Sequence, residues 1–339
     1  METNGNRPSV VLICHEQDSL DSEGLASWLA STLRLAGLIL IRDRPGRLWR
    51  ASRREIRRVG WVKFLDVMAF RAYARLRLSV RDAAWTKEAV ADLRKRYPAA
   101  LDAVPFVVVS TPNGADARAF LEQLQPDLAI ARCKMILKKE IFEIPRVGTF
   151  VMHPGICPEY RNAHGCFWAL VNRDLNRVGM TLLKVDAGID TGPVYLHGTC
   201  AIDERRESHT VIQHRAVIEN LDAIGSILLA LCRGEQVPTV DTTGRRSATW
   251  GQPRLMAYVR WKWAAASAAR NAAYVRPAAA RNAAYVRPLA ARNAAYVHPS
   301  AARNAADVHP PAAADVRPST ARNGAYVRRA GSAERTRLV

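Results

Sequence analysis

Runs of apolar and β-branched residues alternate with segments of helical period along most of this 339-residue chain, and that alternation leaves few folds open. Residues 9–14 read as a strand buried on both faces; residues 22–33 follow with Leu25, Trp28, Leu29 and Leu33 at helical spacing. The strand signal returns at 37–41, 104–110, 127–131, 147–153 and 179–185, and the helical one at 116–124, 138–142 and, as one long amphipathic helix, 208–233. The pattern predicts an α/β fold, a doubly wound and mainly parallel sheet over about residues 7–250.

Charge is distributed unevenly around that body. The net charge is +19, yet residues 42–82 alone hold thirteen basic and four acidic residues, and residues 264–339 hold twelve Arg and three acids. What is left is almost neutral, which argues against a dedicated nucleic-acid-binding core and against a specific nucleic-acid partner. The six cysteines form no CxxC pair and several sit in apolar runs, so free thiols in a reducing compartment are expected. The N-terminal apolar run breaks at His15 and Glu16, too soon for a secretory signal, and no stretch approaches the roughly 20 apolar residues that cross a bilayer. These features predict a cytoplasmic protein without a transmembrane segment.

The first basic block, 42–82, is expected to be an Arg-rich helical insertion, with Trp49, Ile56, Val59, Leu65, Met68 and Tyr73 among many Arg over 47–78. Such a helix fits either a membrane surface or acidic partner, or an insertion packed on the body; the breadth of the apolar face favours packing. The second block is a low-complexity tail, 264–339, in which ARNAAYVRP-like units begin at Ala269, Ala280, Ala291 and Ala302 with an 11-residue period. Proline in every full repeat forbids a long helix, and one Tyr or Val per unit cannot offset the entropy of ordering a separate core, so disorder is expected.

Two segments carry chemistry: GTFVMHPGICPEYRNAHGCFWAL from Gly148 and GMTLLKVDAGIDTGPV from Gly179. In the first, a strand delivers His153 to the carboxyl edge of the sheet and Pro154 stops it there, where open α/β sheets bind ligands. In the second, a strand runs into a turn rich in Asp and Gly, expected to present Asp190 on the same edge. An imidazole and a carboxylate held together make an acid/base pair. By themselves these residues fit a loop-stabilising His and an Asx-turn Asp better than an acid/base pair.

The residues around them resemble the folate-dependent formyltransferase family. The likeness rests on His153-Pro154, on Cys157-Pro158-Glu159-Tyr160-Arg161, and on Asp186-Ala187-Gly188-Ile189-Asp190-Thr191-Gly192-Pro193. Upstream, Gln125 to Ile130 and Met135 to Ile141 are similar to the family's PD-strand and ILKKEI segment. It is specific over about 121–193, looser to Arg254, and fades before Val104. The resemblance implies transfer of a formyl group from 10-formyltetrahydrofolate to an amine. His153 would then be the general acid/base and Asp190 its partner; Met135, Ile136, Leu137, Val185, Asp186 and Gly188 would line the pterin pocket.

The chain departs from the family at Val151, where an Asn donates a hydrogen bond to the formyl oxygen. Valine cannot donate, and losing one such donor typically costs roughly 10²–10³ in rate. His164 and the amide of Asn162 are the candidates to replace it. His153, Cys157, His164 and Cys166 are zinc-ligand types, but their gaps match no common zinc spacing, and no metal is expected. The loop after the first strand lacks a Gly-rich phosphate cradle, which disfavours a phosphorylated glycinamide acceptor. No barrel-like domain follows the body, which disfavours initiator tRNA. A small-molecule amine, an amino sugar or other metabolite, is the acceptor that is left. A non-catalytic folate-binding relative and a 10-formyltetrahydrofolate hydrolase are the alternatives.

Overall fold

The computed structural model describes residues 7–42 and 55–271; the stretch 43–54 and the repeats from residue 272 lie outside the described residues. Seven strands form one sheet: β1 (Ser9–His15), β2 (Arg34–Ile41), β3 (Phe106–Val109), β4 (Leu128–Arg132), β5 (Gly148–His153), β6 (Gly179–Lys184) and β7 (Val194–Thr199). Their order is β3-β2-β1-β4-β5-β6-β7. The first five run parallel, while β6 and β7 are antiparallel additions. Beyond β1 the chain winds outward to β2 and β3, then returns to place β4 on the other side of β1. That reversal opens a crevice above the carboxyl ends of β1 and β4.

Alternation within β1 shows how the core is divided. Val10, Leu12 and Cys14 enter the larger apolar layer, while Val11 and Ile13 enter the layer on the opposite face. The larger layer packs under α1 (Ala26–Thr32), α6 (Gly165–Val171), α7 (His209–Ile218), α8 (Leu221–Cys232) and α9 (Leu255–Asn271); α4 (Ala115–Leu124) and α5 (Lys139–Phe142) cover the other.

Between β2 and β3 the described part of the insertion is helical: α2 (Trp61–Tyr73), a π-helical segment (Ala74–Leu78) and α3 (Ser79–Arg96). It packs on the body through Phe70, whose ring lies 5.7 Å from those of Phe167 and His209 and 5.4 Å from Tyr258. Leu78, Val90 and Leu93 are buried with it. The helical run continues past residue 82 to Arg96.

Three elements differ from the sequence reading. The helix expected over 208–233 is two, because Asn220 turns its amide onto Ala216 O at 2.7 Å and Thr199 O at 3.0 Å, and a side chain that competes for backbone carbonyls breaks the helix. The apolar run at 104–110 forms an edge strand, so Phe106 is exposed where burial on both faces was expected. The packed body also runs beyond residue 250, since α9 inserts the fully buried Trp261. Among the described residues, no helix is long and apolar enough to cross a membrane.

Candidate active site

β5 carries His153 to its carboxyl end, and the loop that follows is built around the ring. His153 Nε2 lies 2.8 Å from Tyr160 O. Thr181 on β6 ties down the same loop, donating to Gly155 O at 2.7 Å and accepting from Cys157 N at 3.0 Å. The Tyr160 carbonyl is also packed against Gly165, where a Cβ would stand 2.2 Å from the oxygen. Only glycine fits that position.

Asp190 meets His153 by a route the sequence did not indicate. Because β6 is antiparallel to β5, with Lys184 opposite Phe150, its loop leaves the sheet three residues below His153 rather than beside it. The loop has to run back about 10 Å along the strand. It is folded by Asp186, which accepts from Gly188 N at 3.0 Å and Thr191 Oγ1 at 2.8 Å, and by Gly192, where a Cβ would strike Lys184 O. Asp190, at a φ of 52°, then places Oδ1 3.3 Å from His153 Nδ1, while its Oδ2 accepts from Asn162 N at 2.8 Å.

Both ring nitrogens of His153 therefore face acceptors, a carbonyl and a carboxylate. Only the doubly protonated imidazolium donates to both. Burial opposes that charge, but the adjacent Cys157 sulfur and the Asp190 carboxylate outweigh it, and the His153 pKa is pushed up to about 10. Burial likewise opposes the Asp190 charge, yet the His153 ring and the Asn162 amide hold this carboxyl below its ordinary range.

The pair opens onto a cleft of about 970 Å³ above the strand ends. All nine residues singled out from sequence, His153, His164, Asp190, Met135, Ile136, Leu137, Val185, Asp186 and Gly188, line it. Asp186 does so with its carboxylate spent on its own loop. Asn113 clamps the Met135–Leu137 stretch, donating to Ile136 O at 2.9 Å and accepting from Lys138 N at 2.8 Å. Val151 lies two residues before His153, on the same side of β5, and presents only methyl groups to the cleft. Asn162 uses one N–H of its side-chain amide on Trp250 O at 2.8 Å. His164 is held neutral: burial and the Lys134 charge push its pKa down to about 3, against a hydrogen bond with Gln252.

Sequence reasoning missed the other half of the cleft. Arg132, at the end of β4, donates to Asp21 Oδ1 at 2.9 Å and to Met152 O at 2.8 Å, and both charged side chains are buried. His209 and His214 from α7 line the same half, and α3 closes it with Ala83, Thr86, Lys87 and Val90. A β-strand ending in Arg beside an acidic first helix was the available signal. Its meaning depended on an adjacency of β1 and β4 that lies more than a hundred residues apart in sequence. Among the described residues, no three His, Cys, Asp or Glu side chains are grouped to hold a metal ion.

A family model described as formyl transferase matches residues 107–224, the stretch that holds β3 to β7, His153 and Asp190. Methionyl-tRNA formyltransferase of Thermodesulfovibrio yellowstonii is 35% identical over 99 residues, 29% of this chain and 32% of that protein. The enzyme of the same name from Dehalococcoides mccartyi strain CBDB1 is 36% identical over 115 residues, 34% of this chain and 35% of its own length. This chain thus spans about a third of the length of these two relatives. A solved sugar N-formyltransferase from a Shewanella species aligns over 75% of this chain and 87% of its own, with 12% identity and a TM-score of 0.42. By residues 107–224, the chain carries a domain of the formyl transferase family.

Proposed function

We propose that this protein is an N-formyltransferase that moves a formyl group from 10-formyltetrahydrofolate to the amine of a small molecule. The observation that carries the reading is the ion pair of His153 and Asp190 in the wall of a cleft that Ile136, Leu137, Val185 and Ile189 also line. Folate fits the residues present. Ile136 and Ile189 are exposed on two loops that line the cleft, and with Leu137 and Val185 they offer a flat heteroaromatic ring apolar walls. When bound, the folate supplies a one-carbon unit open to attack by nitrogen.

The chain's own residues then manage protons and charge. Asp190, kept ionised, holds the incoming amine, can take the proton that the amine nitrogen sheds on bonding the formyl carbon and pass it to the nitrogen that leaves. The His153 imidazolium holds that carboxylate in place and stabilises negative charge developing beside it. His164, neutral and on the cleft wall, takes the donor role that Val151 cannot fill. Because α3 also walls the cleft, a compact amine suits it, and this supports a metabolite acceptor over the methionyl-tRNA named for the relatives.

Incubation of the full chain with 10-formyltetrahydrofolate and a panel of amino sugars and other amines tests this, with tetrahydrofolate followed by absorbance and products by mass. Formylated amine is the expected result. Binding without turnover would favour a non-catalytic relative, and formate released without acceptor a hydrolase. His164→Ala is expected to lower turnover by roughly 10²–10³, and Val151→Asn in that background to restore part of it. Full turnover in His164→Ala would remove His164 from the mechanism.

A further inference from the structure

The outer surface of the inserted helices carries chemistry that the cleft does not use. α2 and α9 lie side by side: Asp66 Oδ1 accepts from Met256 N at 3.0 Å, and the Tyr73 and Tyr258 rings are 5.3 Å apart. Their inward faces, Val67 and Phe70 on α2 and Tyr258 and Trp261 on α9, are buried. At about 3.6 residues per turn, Trp61, Leu65 and Met68 point away from Val67 and Phe70. Met256, Val259 and Trp263 point away from Trp261 in the same manner. The outward residues are well exposed, Trp61 by 67%, Leu65 by 62%, Met256 by 70% and Trp263 by 69%.

Scattered exposed apolar residues need no explanation, but two neighbouring helices that both turn a Trp-bearing stripe outward form a patch. The charge of these helices is predominantly basic: from Glu55 to Asp82 there are seven basic residues and three acids, Glu55, which pairs with Arg58, Asp66, which accepts from the α9 backbone, and Asp82.

We propose that this face docks on the surface of a bilayer containing anionic lipid. The apolar stripes enter the headgroup boundary, Trp61 and Trp263 sit at the interface that suits their amphipathic rings, and the surrounding Arg and Lys meet lipid phosphates. A second copy is a poorer occupant, because a two-fold contact through this face sets one basic rim against the other. RNA would match the charge but leave a centre of Trp, Leu, Met and Val without a polar partner.

Sedimentation of the full chain with phosphatidylcholine vesicles, with and without phosphatidylglycerol, tests the proposal. Binding is expected to the phosphatidylglycerol vesicles, to weaken with salt, and to shift tryptophan emission to the blue. The double variant Leu65→Glu with Trp263→Glu should reduce the bound fraction at least roughly tenfold. Its melting temperature should be unchanged, because both side chains are exposed. Trp61→Phe with Trp263→Phe keeps the apolar face, and should retain binding while losing most of the emission shift. Absence of binding to phosphatidylglycerol vesicles overturns the proposal, as does binding that the Glu variant leaves intact. A dimer dissociated by the same variant, or RNA binding that the variant weakens in a protein indifferent to lipid, would also overturn it.

Discussion

His153 satisfies its two acceptors only when it carries two protons, and that sets the pH behaviour expected of the site. Its folded pKa is raised from 6.5 to about 10, so the stability it contributes is fully present below pH 6.5 and is lost as pH climbs through the folded pKa. Thermal melts of the wild type and His153→Gln should therefore differ most near pH 6 and converge toward pH 10; a gap that widens with pH would contradict the ion pair. Asp190→Asn should cost roughly 10²–10⁴ in turnover, as removal of a positioned acid/base group does. Gly165→Ala should act through His153 without touching substrate, because its methyl group displaces the Tyr160 carbonyl. A fall in kcat with little change in KM would mark this positioning effect. Arg132→Met strips a buried carboxylate of its partner, and urea melts should show a loss of about 3–5 kcal/mol.

At the scale of elements, one aromatic cluster joins α2 of the insertion to the body. Phe70 touches Phe167 of α6, His209 of α7 and Tyr258 of α9, so a single side chain connects four helices. Phe70→Ala is expected to cost about 3–5 kcal/mol, the usual price of a buried aromatic, measurable by denaturant unfolding. Since α3 continues from the same helical run and walls the cleft, the variant should also weaken acceptor binding more than folate binding. Equal losses for both ligands would show that α3 does not border the acceptor.

The molecule as a whole depends on α9, most of which lies between the body expected to end near residue 250 and the tail expected from residue 264. Tyr258 and Trp261 are buried against the body, and removing them from water contributes roughly 4 kcal/mol. A chain ending at residue 250 should melt well below one ending at residue 271, and equal melting temperatures would contradict the packing of α9. Trp261 Nε1 donates to Glu204 at 2.7 Å and Lys262 Nζ to Glu204 O at 2.6 Å, which ties this last helix to the loop before α7. Much of this architecture is legible in the sequence. The alternation of buried strands and helices gave the layered α/β fold, and the His153 and Asp190 segments gave the residues that the cleft brings together. Those signals are local: β-branched runs, helical period, and turn residues that fix a loop within ten positions. Strand direction is different. The buried run 179–184 reads alike whether β6 lies parallel or antiparallel to β5, because burial on both faces erases the pattern that would tell them apart. The return path of the Asp190 loop, the buried Arg132–Asp21 pair and the contact between α2 and α9 join residues from distant parts of the chain, and only packing decides which of those become neighbours.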